Sequence, residues 1–321
     1  MSKIGVTRRA PVCQGGRVLM LLDSASLYFR AFHGVPESVT AADGTPVNAV
    51  RGFLDSVAFL VRERRPDRLT ACLDLDWRPR FRVDAVPSYK AHRVSPKGGE
   101  TVPDGLVPQI PILLDVLAKL GIATAGAEGF EADDVIGTLA AAATEPVEVA
   151  SGDRDLFQVV RDDPPVHVLY VGRGVRKYEV MGEAEVAAKY GVPGRGYADF
   201  AVLRGDPSDG LPGVPGIGEK SAAALVTRFG SLDGLIAALD SGSDAGFPAG
   251  ARTKLAAARD YLAAAPAVAR VRTDVPVPKH DDRLPAQPAD PAGLVGLGER
   301  WNLDAPLNRL LAALGPAGAA R

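Results

Sequence analysis

The sequence predicts an α/β protein built on a parallel sheet, followed by a smaller helical region. Three short apolar runs have the length of buried strands and a weaker fourth follows them: 18–22, 69–73, 147–150 and 166–171. Helical patterns lie between these runs, at 48–64, 107–120 and 132–143. Strands that alternate with helices are typical of a parallel sheet covered on both faces, which should occupy roughly the first 175 to 190 residues.

Two later segments depart from this pattern. Residues 77–108 are polar, contain Pro and Gly, and carry six basic side chains: Arg78, Arg80, Arg82, Lys90, Arg93 and Lys97. A loop of this length inside a compact domain is either disordered or functional. After the sheet domain at 17–182, residues 183–314 read as short helices with Gly-rich turns, a Pro- and Asp-rich connector at 273–292 and a last helix near 304–314. We expect 1–16 and 315–321 to be a flexible N-terminal extension and a flexible tail.

Composition excludes several classes of protein. The formal net charge of -2 means that any contact with nucleic acid must come from local basic segments. Cys13 and Cys72 are too few for a disulfide framework and form no CxxC pair for zinc, which suits a reducing cytoplasm. The first apolar run is too short for a signal peptide or a membrane span. We therefore expect a cytoplasmic protein with no membrane association.

Acidic residues follow the predicted strands at the same end of the sheet. Those that close or follow the first three strands are Asp23, Asp74, Asp153 and Asp155. Ligands of an open parallel sheet bind at the carboxyl ends of its strands, so these side chains should converge on one crevice. A further acidic group opens the helix that leads into the third strand: Glu131, Asp133 and Asp134.

Each acidic motif alone has an ordinary structural explanation. Acids in the first turn of a helix complement its dipole, and Asp after a strand is common in turns. Seven carboxylates on one rim, however, would repel one another by roughly several kcal/mol unless cations neutralised them. Oxygen ligands select Mg²⁺ or Mn²⁺ over zinc, and the four histidines of the chain are scattered. A pair of such ions suits phosphodiester hydrolysis, because one activates the attacking water and the other stabilises the leaving oxygen.

A glycine-rich segment lies farther along the chain, at 205–220, before a helical run that ends at Gly230. Its glycines at 213, 216 and 218 leave the backbone bare where a turn enters a helix, and such a turn can present amides to a phosphate. Asp206 and Asp209 directly precede these glycines. We expect the segment to help hold both DNA and metal.

Five motifs occur in a fixed order: residues 21–32, 81–93, 129–140, 151–158 and 205–220. Together they resemble the bacterial 5′ to 3′ exonucleases, or flap endonucleases, and are similar to the N-terminal nuclease domain of DNA polymerase I. The resemblance runs from about residue 18 to about residue 311. It implies a PIN-like nuclease core with a helical arch at 77–108, and a helix-hairpin-helix-like (H3TH) element. It also implies hydrolysis of DNA near flaps, nicks or overhangs, in replication and repair.

The resemblance further implies roles for individual residues. Around the first metal it places Asp23, Asp74, Glu131, Asp133 and Asp134, and around the second Asp153, Asp155, Asp206 and Asp209, with Asp133 shared. A 5′ single strand would pass through the arch, where Lys90 and Arg93 contact the scissile phosphate and Arg82 and Tyr89 help to place the strand. The hairpin would bind the duplex backbone, with a K⁺ ion held by carbonyls, through Gly213, Gly216, Gly218 and Lys220.

Several alternatives stay open at the level of sequence. Tyr28, Phe29 and Phe32 have helical spacing and could be core residues, with Tyr28 the one candidate for stacking on bases. Lys90 and Arg93 could belong to a solvated helix face, and Asp76 competes with Asp74 as a ligand.

Gly210 stands where the family usually has Asn, which we expect to change only turn geometry. Rival functions are a catalytically silent junction-binding protein and a ribonuclease. We expect a monomeric, standalone bacterial nuclease that also meets RNA-DNA primers.

Overall fold

The sheet at the centre of the protein has seven strands in the computed structural model, which describes residues 17–96, 98–242 and 246–315. The expected extension at 1–16, Lys97 and residues 316–321 of the expected tail lie outside these ranges. The strands are β1 Leu19–Asp23, β2 Arg68–Cys72, β3 Ala123–Ala125, β4 Val147–Ser151, β5 Arg161–Asp162, β6 Pro165–Tyr170 and β7 Glu179–Met181.

The strand order is β3-β2-β1-β4-β6-β5, and β7 also pairs with β6. All pairings among β1, β2, β3, β4 and β6 are parallel, whereas β5 and β7 run antiparallel to β6. The predicted parallel α/β sheet is confirmed, and the antiparallel edge is an addition to it. Leu22 pairs with both Ala71 and Ala150, so the carboxyl ends of β1, β2 and β4 lie level.

Fourteen α-helices surround this sheet in the described ranges. They are α1 Ser24–Gly34, α2 Asn48–Arg64, α3 Arg80–Ala85, α4 Gln109–Leu120, α5 Ala132–Ala142, α6 Glu183–Tyr190, α7 Tyr197–Arg204, α8 Glu219–Phe229, α9 Leu232–Asp240, α10 Ala251–Ala257, α11 Arg259–Ala264, α12 Pro266–Ala269, α13 Pro291–Trp301 and α14 Asp304–Leu314. Short 3₁₀ turns occur at Ala91–Arg93, Asp155–Val159, Val175–Lys177 and Gly194–Gly196.

Both faces of the sheet are covered, because successive side chains of a strand point to opposite faces. On β1, Leu19 and Leu21 belong to one core, which continues into the helical region, while Met20 and Leu22 belong to a second core. The second core is filled from α2, α4, α13 and α14. Every residue of β1 is buried, which explains why this strand reads as a continuous apolar run that ends in an acid.

The expectation that 183–314 forms one helical region is wrong in its last part. Helix α14 packs along α2, and α13 packs on α4, so both return to the sheet domain. Their buried residues, among them Leu297 and Leu310, join the core that contains Met20 and Leu22. The helical region next to the active edge therefore ends near Ala269, and an irregular stretch leads from it to α13.

The segment expected to form a helical arch, 77–108, is helical only in part. In the described part of this segment, the helical elements are α3, with six residues, and the 3₁₀ turn at Ala91–Arg93. Five prolines explain the difference, because each removes an amide donor and disfavours helix in the residue before it: Pro79, Pro87, Pro96, Pro103 and Pro108.

In the described residues, no single helix has the length and apolarity to cross a membrane. Two consecutive helices, Glu219–Phe229 and Leu232–Asp240, meet at an angle of 80°. Taken together they reach the required length and apolarity, by length and composition only.

Replacing Leu310 by Ala tests whether α14 is part of the sheet domain. Leu310 is fully buried, so its loss should lower the free energy of unfolding by roughly 2 to 5 kcal/mol in urea denaturation. Val295→Ala is the matched control, because Val295 is 60% exposed on α13. Equal, small effects from the two variants would show that α14 contributes little to the core.

Candidate functional site

A cavity of about 240 Å³ opens at the carboxyl ends of β1, β2 and β4. Six carboxylate side chains and two cationic ones line it. The lining residues are Asp23, Ala25, Ser26, Phe29, Asp74, Trp77, Lys90, Arg93, Glu100, Glu131, Asp133, Gly152 and Asp153. The crevice expected from the sequence is thus present at the expected edge.

Five of the lining carboxylates are those expected from the sequence, and Glu100 is a sixth that the sequence does not single out. The other residues missed at the level of sequence are Trp77, Ser26 and Gly152. Ser26 and Phe29 lie three apart on α1, a spacing that places both on the cavity side of the helix. The spacing indicates that Ser26 and Phe29 lie beside Asp23 only when α1 is known to begin directly after Asp23.

Local hydrogen bonds fix the acids that follow the strands. Asp23 is the last residue of β1 and also caps α1, because its carboxylate accepts from the Ser26 amide at 3.0 Å. Asp74 lies two residues beyond β2 and accepts from the Ala132 amide, at the start of α5, at 2.6 Å. Asp74 lines the cavity, whereas Asp76 does not, which favours Asp74 between these two candidates.

Burial and like charge disturb the ionisation of these acids. Burial, opposed by hydrogen bonds but reinforced by the charges of Asp74 and Asp153, raises the pKa of Asp23 to about 7. Burial and the charges of Asp153 and Asp23 raise the pKa of Asp133 well above its ordinary value. Among the described residues, neither Asp133 nor Asp153 has an ion-pair partner. The group is therefore short of positive charge.

A second acidic group adjoins the first but does not line the cavity: Asp155, Asp206 and Asp209. Burial, followed by the charges of Asp153, Asp209 and Asp206, raises the pKa of Asp155. Burial raises the pKa of Asp209 to about 6, although the charge of Lys90 opposes the change. The charge of Asp153 acts on members of both groups, so Asp153, as well as the expected Asp133, lies where the two groups meet.

The carboxylate of Asp206 already has partners for both of its oxygens. It accepts from the amide and hydroxyl of Ser208 and from the guanidinium of Arg204, the last at 3.1 Å. These contacts hold the tight turn in which Asp206 and Leu211 exchange backbone hydrogen bonds. Asp206 therefore shapes the turn that carries Asp209.

Four of the expected site residues form a buried ionic network: Arg82, Tyr89, Glu131 and Asp134. Arg82 is 3% exposed, and its guanidinium binds both oxygens of Asp134, at 2.7 and 2.8 Å, and one oxygen of Glu131. Tyr89 is 2% exposed and donates its hydroxyl to Glu131. Arg82 also donates to the Val268 carbonyl, so the network joins α3, α5 and α12.

This network bears on three predictions. Asp134 is fully buried, also accepts from the Arg272 amide and does not line the cavity, which argues against its expected role as a metal ligand. Arg82 and Tyr89 are buried and do not line the cavity, which argues against their expected role in placing the DNA strand. The physical reason is that a buried carboxylate needs a cation and hydrogen bonds, which Arg82 supplies.

Lys90 and Arg93 do reach the cavity. The Lys90 ammonium pairs with Glu131, and burial, which alone would lower its pKa, is outweighed by the charges of Glu131 and Asp209, which raise the pKa of Lys90. Arg93 donates to the Ser208 carbonyl at 3.1 Å and lies 4.0 Å from the carboxylate of Asp209. Both cations therefore stand between the two acidic groups.

Gly210 allows this arrangement. The Ser88 hydroxyl donates to the Gly210 carbonyl at 2.8 Å, and the Lys90 amide donates to the Asp209 carbonyl at 3.1 Å. A Cβ atom at Gly210, where φ is 74°, would lie 2.2 Å from the Ser88 carbonyl oxygen. The absence of Asn here therefore affects more than turn geometry, because any side chain would push Lys90 and its neighbours off the turn.

The glycine hairpin is only partly open to a ligand. Gly216, Gly218 and Lys220 are exposed beside the amino end of α8. Gly213 is buried and donates its amide to the Tyr261 hydroxyl at 3.2 Å, which argues against its expected contact with DNA. The Gly216 carbonyl accepts from the Lys254 ammonium at 3.1 Å.

The aromatic residues of α1 divide between core and cavity. Phe32 is a buried core residue, and Tyr28 is half-buried against Phe29, with 5.2 Å between ring centroids. Phe29, rather than Tyr28, lines the cavity. The position of Tyr28 favours the core alternative over stacking on bases.

The chemistry of the site fits a hard cation that brings its own water. In the described ranges, no three acidic, histidine or cysteine side chains are already close enough to enclose an ion. Mg²⁺ keeps several waters and is commonly bound by one or two carboxylates together with substrate phosphates. An open edge of carboxylates without cation partners agrees with that mode of binding.

Comparisons with known proteins agree with this geometry. Residues 18–191 match the family model for the 5′-3′ exonuclease N-terminal resolvase-like domain, and residues 192–292 match that for the 5′-3′ exonuclease C-terminal SAM fold. The chain is 56% identical over 310 residues to a 5′-3′ exonuclease of Mycobacterium tuberculosis, covering 92% of this chain and 97% of that protein. It is 56% identical over 300 residues to a 5′-3′ exonuclease of Streptomyces coelicolor, covering 92% and 99%.

Solved structures share the fold at low sequence identity. A bacteriophage T5 flap endonuclease, in a complex with DNA and metal ions, matches with a TM-score of 0.59 and 16% identity, covering 93% of this chain and 99% of that one. The catalytic core of Rad2 in complex with DNA substrate matches with a TM-score of 0.56 and 16% identity, covering 93% and 92%.

Replacing Arg82 by Ala tests the corrected role of this residue. The change leaves Glu131 and Asp134 without their buried cation, so the free energy of unfolding should fall by roughly 3 to 5 kcal/mol. The control is Arg80→Ala, since the Arg80 side chain is 91% exposed and its pair with Asp84 contributes little. An Arg82→Ala protein as stable as the control, but weaker in DNA binding, would restore the role in strand placement.

Proposed function

Because this chain belongs to the 5′-3′ exonuclease family, we propose that it is a metal-dependent nuclease that cuts DNA at the junction of a duplex with a 5′ flap, nick or overhang. The observation that carries the proposal is the cavity at the carboxyl edge of the sheet. It combines carboxylates that lack cation partners with two cations at its rim, Lys90 and Arg93. This is the arrangement that a divalent metal and a phosphodiester would complete together.

The cavity carboxylates would hold two or more Mg²⁺ or Mn²⁺ ions: Asp23, Asp74, Asp133 and Asp153, with Glu131, Asp155 and Asp209 beside them. When bound, such ions polarise the phosphodiester and make water a better nucleophile. The burial and mutual repulsion that raise the pKa values of Asp23 and Asp133 are the features that a cation would relieve. Hydrolysis would leave a 5′ phosphate and a 3′ hydroxyl.

Lys90 and Arg93 would hold the scissile phosphate. A phosphate cannot approach a carboxylate edge without compensating charge, and Lys90 stays protonated beside Glu131 and Asp209. The backbone of Lys90 is in a left-handed conformation, with φ of 47°, and its amide is bound to the Asp209 carbonyl. The ammonium is therefore held in place before substrate arrives, which favours stabilisation of charge that develops during the reaction.

The hairpin would bind the duplex on one side of the cut. Gly216, Gly218 and Lys220 stand beside the amino end of α8, where free amides and the helix dipole favour a phosphate. A K⁺ ion at this hairpin would share the carbonyl edge with the ammonium of Lys254, which already contacts the Gly216 oxygen.

A basic groove on the other side of α1 would receive the second arm of a junction. It has a volume of about 380 Å³, and its cationic lining residues are Arg30, Arg173, Arg176 and Lys177. Helix α1 contributes Ser26 and Phe29 to the acidic cavity and Arg30 to this groove, so one helix separates the two. The groove supplies local positive charge that a net charge of -2 does not suggest.

We also propose where in the cell the protein acts. The protein would act as a monomer in the bacterial cytoplasm, associated with the nucleoid, where it would remove 5′ flaps and RNA-DNA primers during replication and repair. DNA as substrate and the scarcity of cysteine support that setting.

Cleavage of a 5′-labelled flap duplex, with Mg²⁺ and with EDTA, tests the function. The wild type should cut near the junction only with Mg²⁺. Lys90→Ala should slow single-turnover cleavage by about 100-fold or more with little loss of affinity, because one contact is a small part of binding but a large part of transition-state stabilisation.

Lys220→Ala is the matched control, because Lys220 is an exposed lysine outside the cavity. It should weaken binding and reduce its dependence on salt, with little change in the cleavage rate of bound DNA. Tight binding without cutting by the wild type would indicate a silent junction binder. Equal losses of cleavage rate and of affinity in Lys90→Ala would show that Lys90 contributes to DNA binding and not to the chemical step.

A further inference from the structure

Trp77 contributes an aromatic side chain to a cavity that is lined mainly by charged side chains. It is half-buried and lines the same space as Asp74, Lys90 and Arg93, and Phe29 is the other aromatic residue of that lining. A core role would bury the indole among apolar side chains, yet Trp77 is not part of the buried clusters of the described residues. Trp77 therefore lines the space that the substrate phosphate would enter under the proposed function.

The backbone on both sides of Trp77 is anchored. The Asp76 amide donates to the Phe130 carbonyl at 3.2 Å. Arg78 donates through its guanidinium to the carbonyls of Tyr89, at 2.6 Å, and Pro87, at 3.0 Å. Since these contacts fix the loop to the segment that carries Lys90, the indole is held relative to the phosphate-binding cation with little conformational freedom to lose on binding.

The ring of Trp77 has no aromatic or cationic neighbour stacked on it among residues 17–96, 98–242 and 246–315. Other rings near the site do have such neighbours, since Phe81 lies 5.9 Å from Phe130 and 5.0 Å from the guanidinium of Arg82. An aromatic face beside bound phosphate is the usual platform for a nucleobase, because every base has a π face.

We propose that Trp77 stacks on the nucleobase next to the scissile phosphate and so positions the phosphodiester between Lys90 and the carboxylates. The inference rests on the proposed function and adds to it a substrate-positioning residue that reads the presence of a base without reading its identity. The carboxylates repel the phosphates on either side of the cut, so a contact with the base adds orientation that those neighbouring phosphates do not provide. Trp77 supplies that orientation.

The test compares the wild type, Trp77→Ala and Trp77→Phe on two flap substrates. One is fully natural, and the other lacks the bases flanking the scissile phosphate. On the natural substrate Trp77→Ala should cleave about tenfold more slowly under single-turnover conditions, and Trp77→Phe should retain most of the rate. On the abasic substrate the wild type should fall to the rate of Trp77→Ala. Equal losses by Trp77→Ala on both substrates would overturn the inference and make Trp77 a structural wall.

Fluorescence gives a readout that does not depend on cleavage. Trp77 and Trp301 are the two tryptophans of the sequence, and Trp301 ends α13 against the core on another part of the molecule. In a Trp301→Phe protein with Ca²⁺ in place of Mg²⁺, natural flap DNA should quench Trp77, whereas the abasic flap should not. Equal quenching by both DNAs contradicts stacking.

These outcomes separate the two proposals. No cutting of either flap by the wild type contradicts the proposed function. Cutting by the wild type, without a base-dependent defect in Trp77→Ala, contradicts the stacking inference alone.

Discussion

Repulsion among carboxylates at the carboxyl edge of the sheet is the constraint on which the rest of the site depends. Parallel pairing brings the ends of β1, β2 and β4 level, and the acids that follow them have little room to separate. Burial adds to the cost of charging them, as the raised pKa values of Asp23 and Asp133 show. A fold with such a cluster must neutralise its charge with cationic side chains of the protein, with bound cations, or with both.

The protein uses an internal cation for part of the cluster. Arg82 neutralises Asp134 and shares Glu131 with Tyr89 and Lys90, and this network ties α5 to α3 and α12. Of the acids that line the cavity, Asp23, Asp74, Asp133 and Asp153 have no ion-pair partner in the described residues. One set of carboxylates therefore stabilises the fold, and the other set remains available to a cation that binds together with the substrate.

Much of this site follows from sequence because local rules decide it. The bounds of α2 and α14 agree with the predicted 48–64 and 304–314, since amphipathic periodicity and chain breakers fix both ends. The acidic edge was predictable because strand ends in a parallel sheet share one side. The role of Arg82 was not, because it depends on contacts with Asp134 and Val268 that lie far away in the chain.

Other differences also arise from tertiary contacts. The return of α13 and α14 to the sheet domain depends on packing against α4 and α2, which no local pattern reveals. The close fit of Gly210 against Ser88 depends on a turn more than one hundred residues away along the chain. Trp77 is only the first residue of the polar segment 77–108 in the sequence analysis, and its place in the cavity becomes evident from the structure.

The most direct test of the central constraint is the melting temperature of the wild type and of Asp153→Asn, with and without Mg²⁺, at pH 5.5 and pH 8. Asp23 has a folded pKa of about 7, above its ordinary value, so its contribution to metal-free stability is present at low pH and is lost as pH rises through about 7. Binding of Mg²⁺ to the charged native state should therefore raise the melting temperature more at pH 8 than at pH 5.5.

Asp153→Asn should raise the metal-free melting temperature at pH 8, because it removes a repelling charge, and should shrink the gain from Mg²⁺. Asp104→Asn, at an exposed position outside the cavity, should behave as the wild type. A wild type that Mg²⁺ does not stabilise at pH 8, or an Asp153→Asn protein with an undiminished gain, would contradict the account.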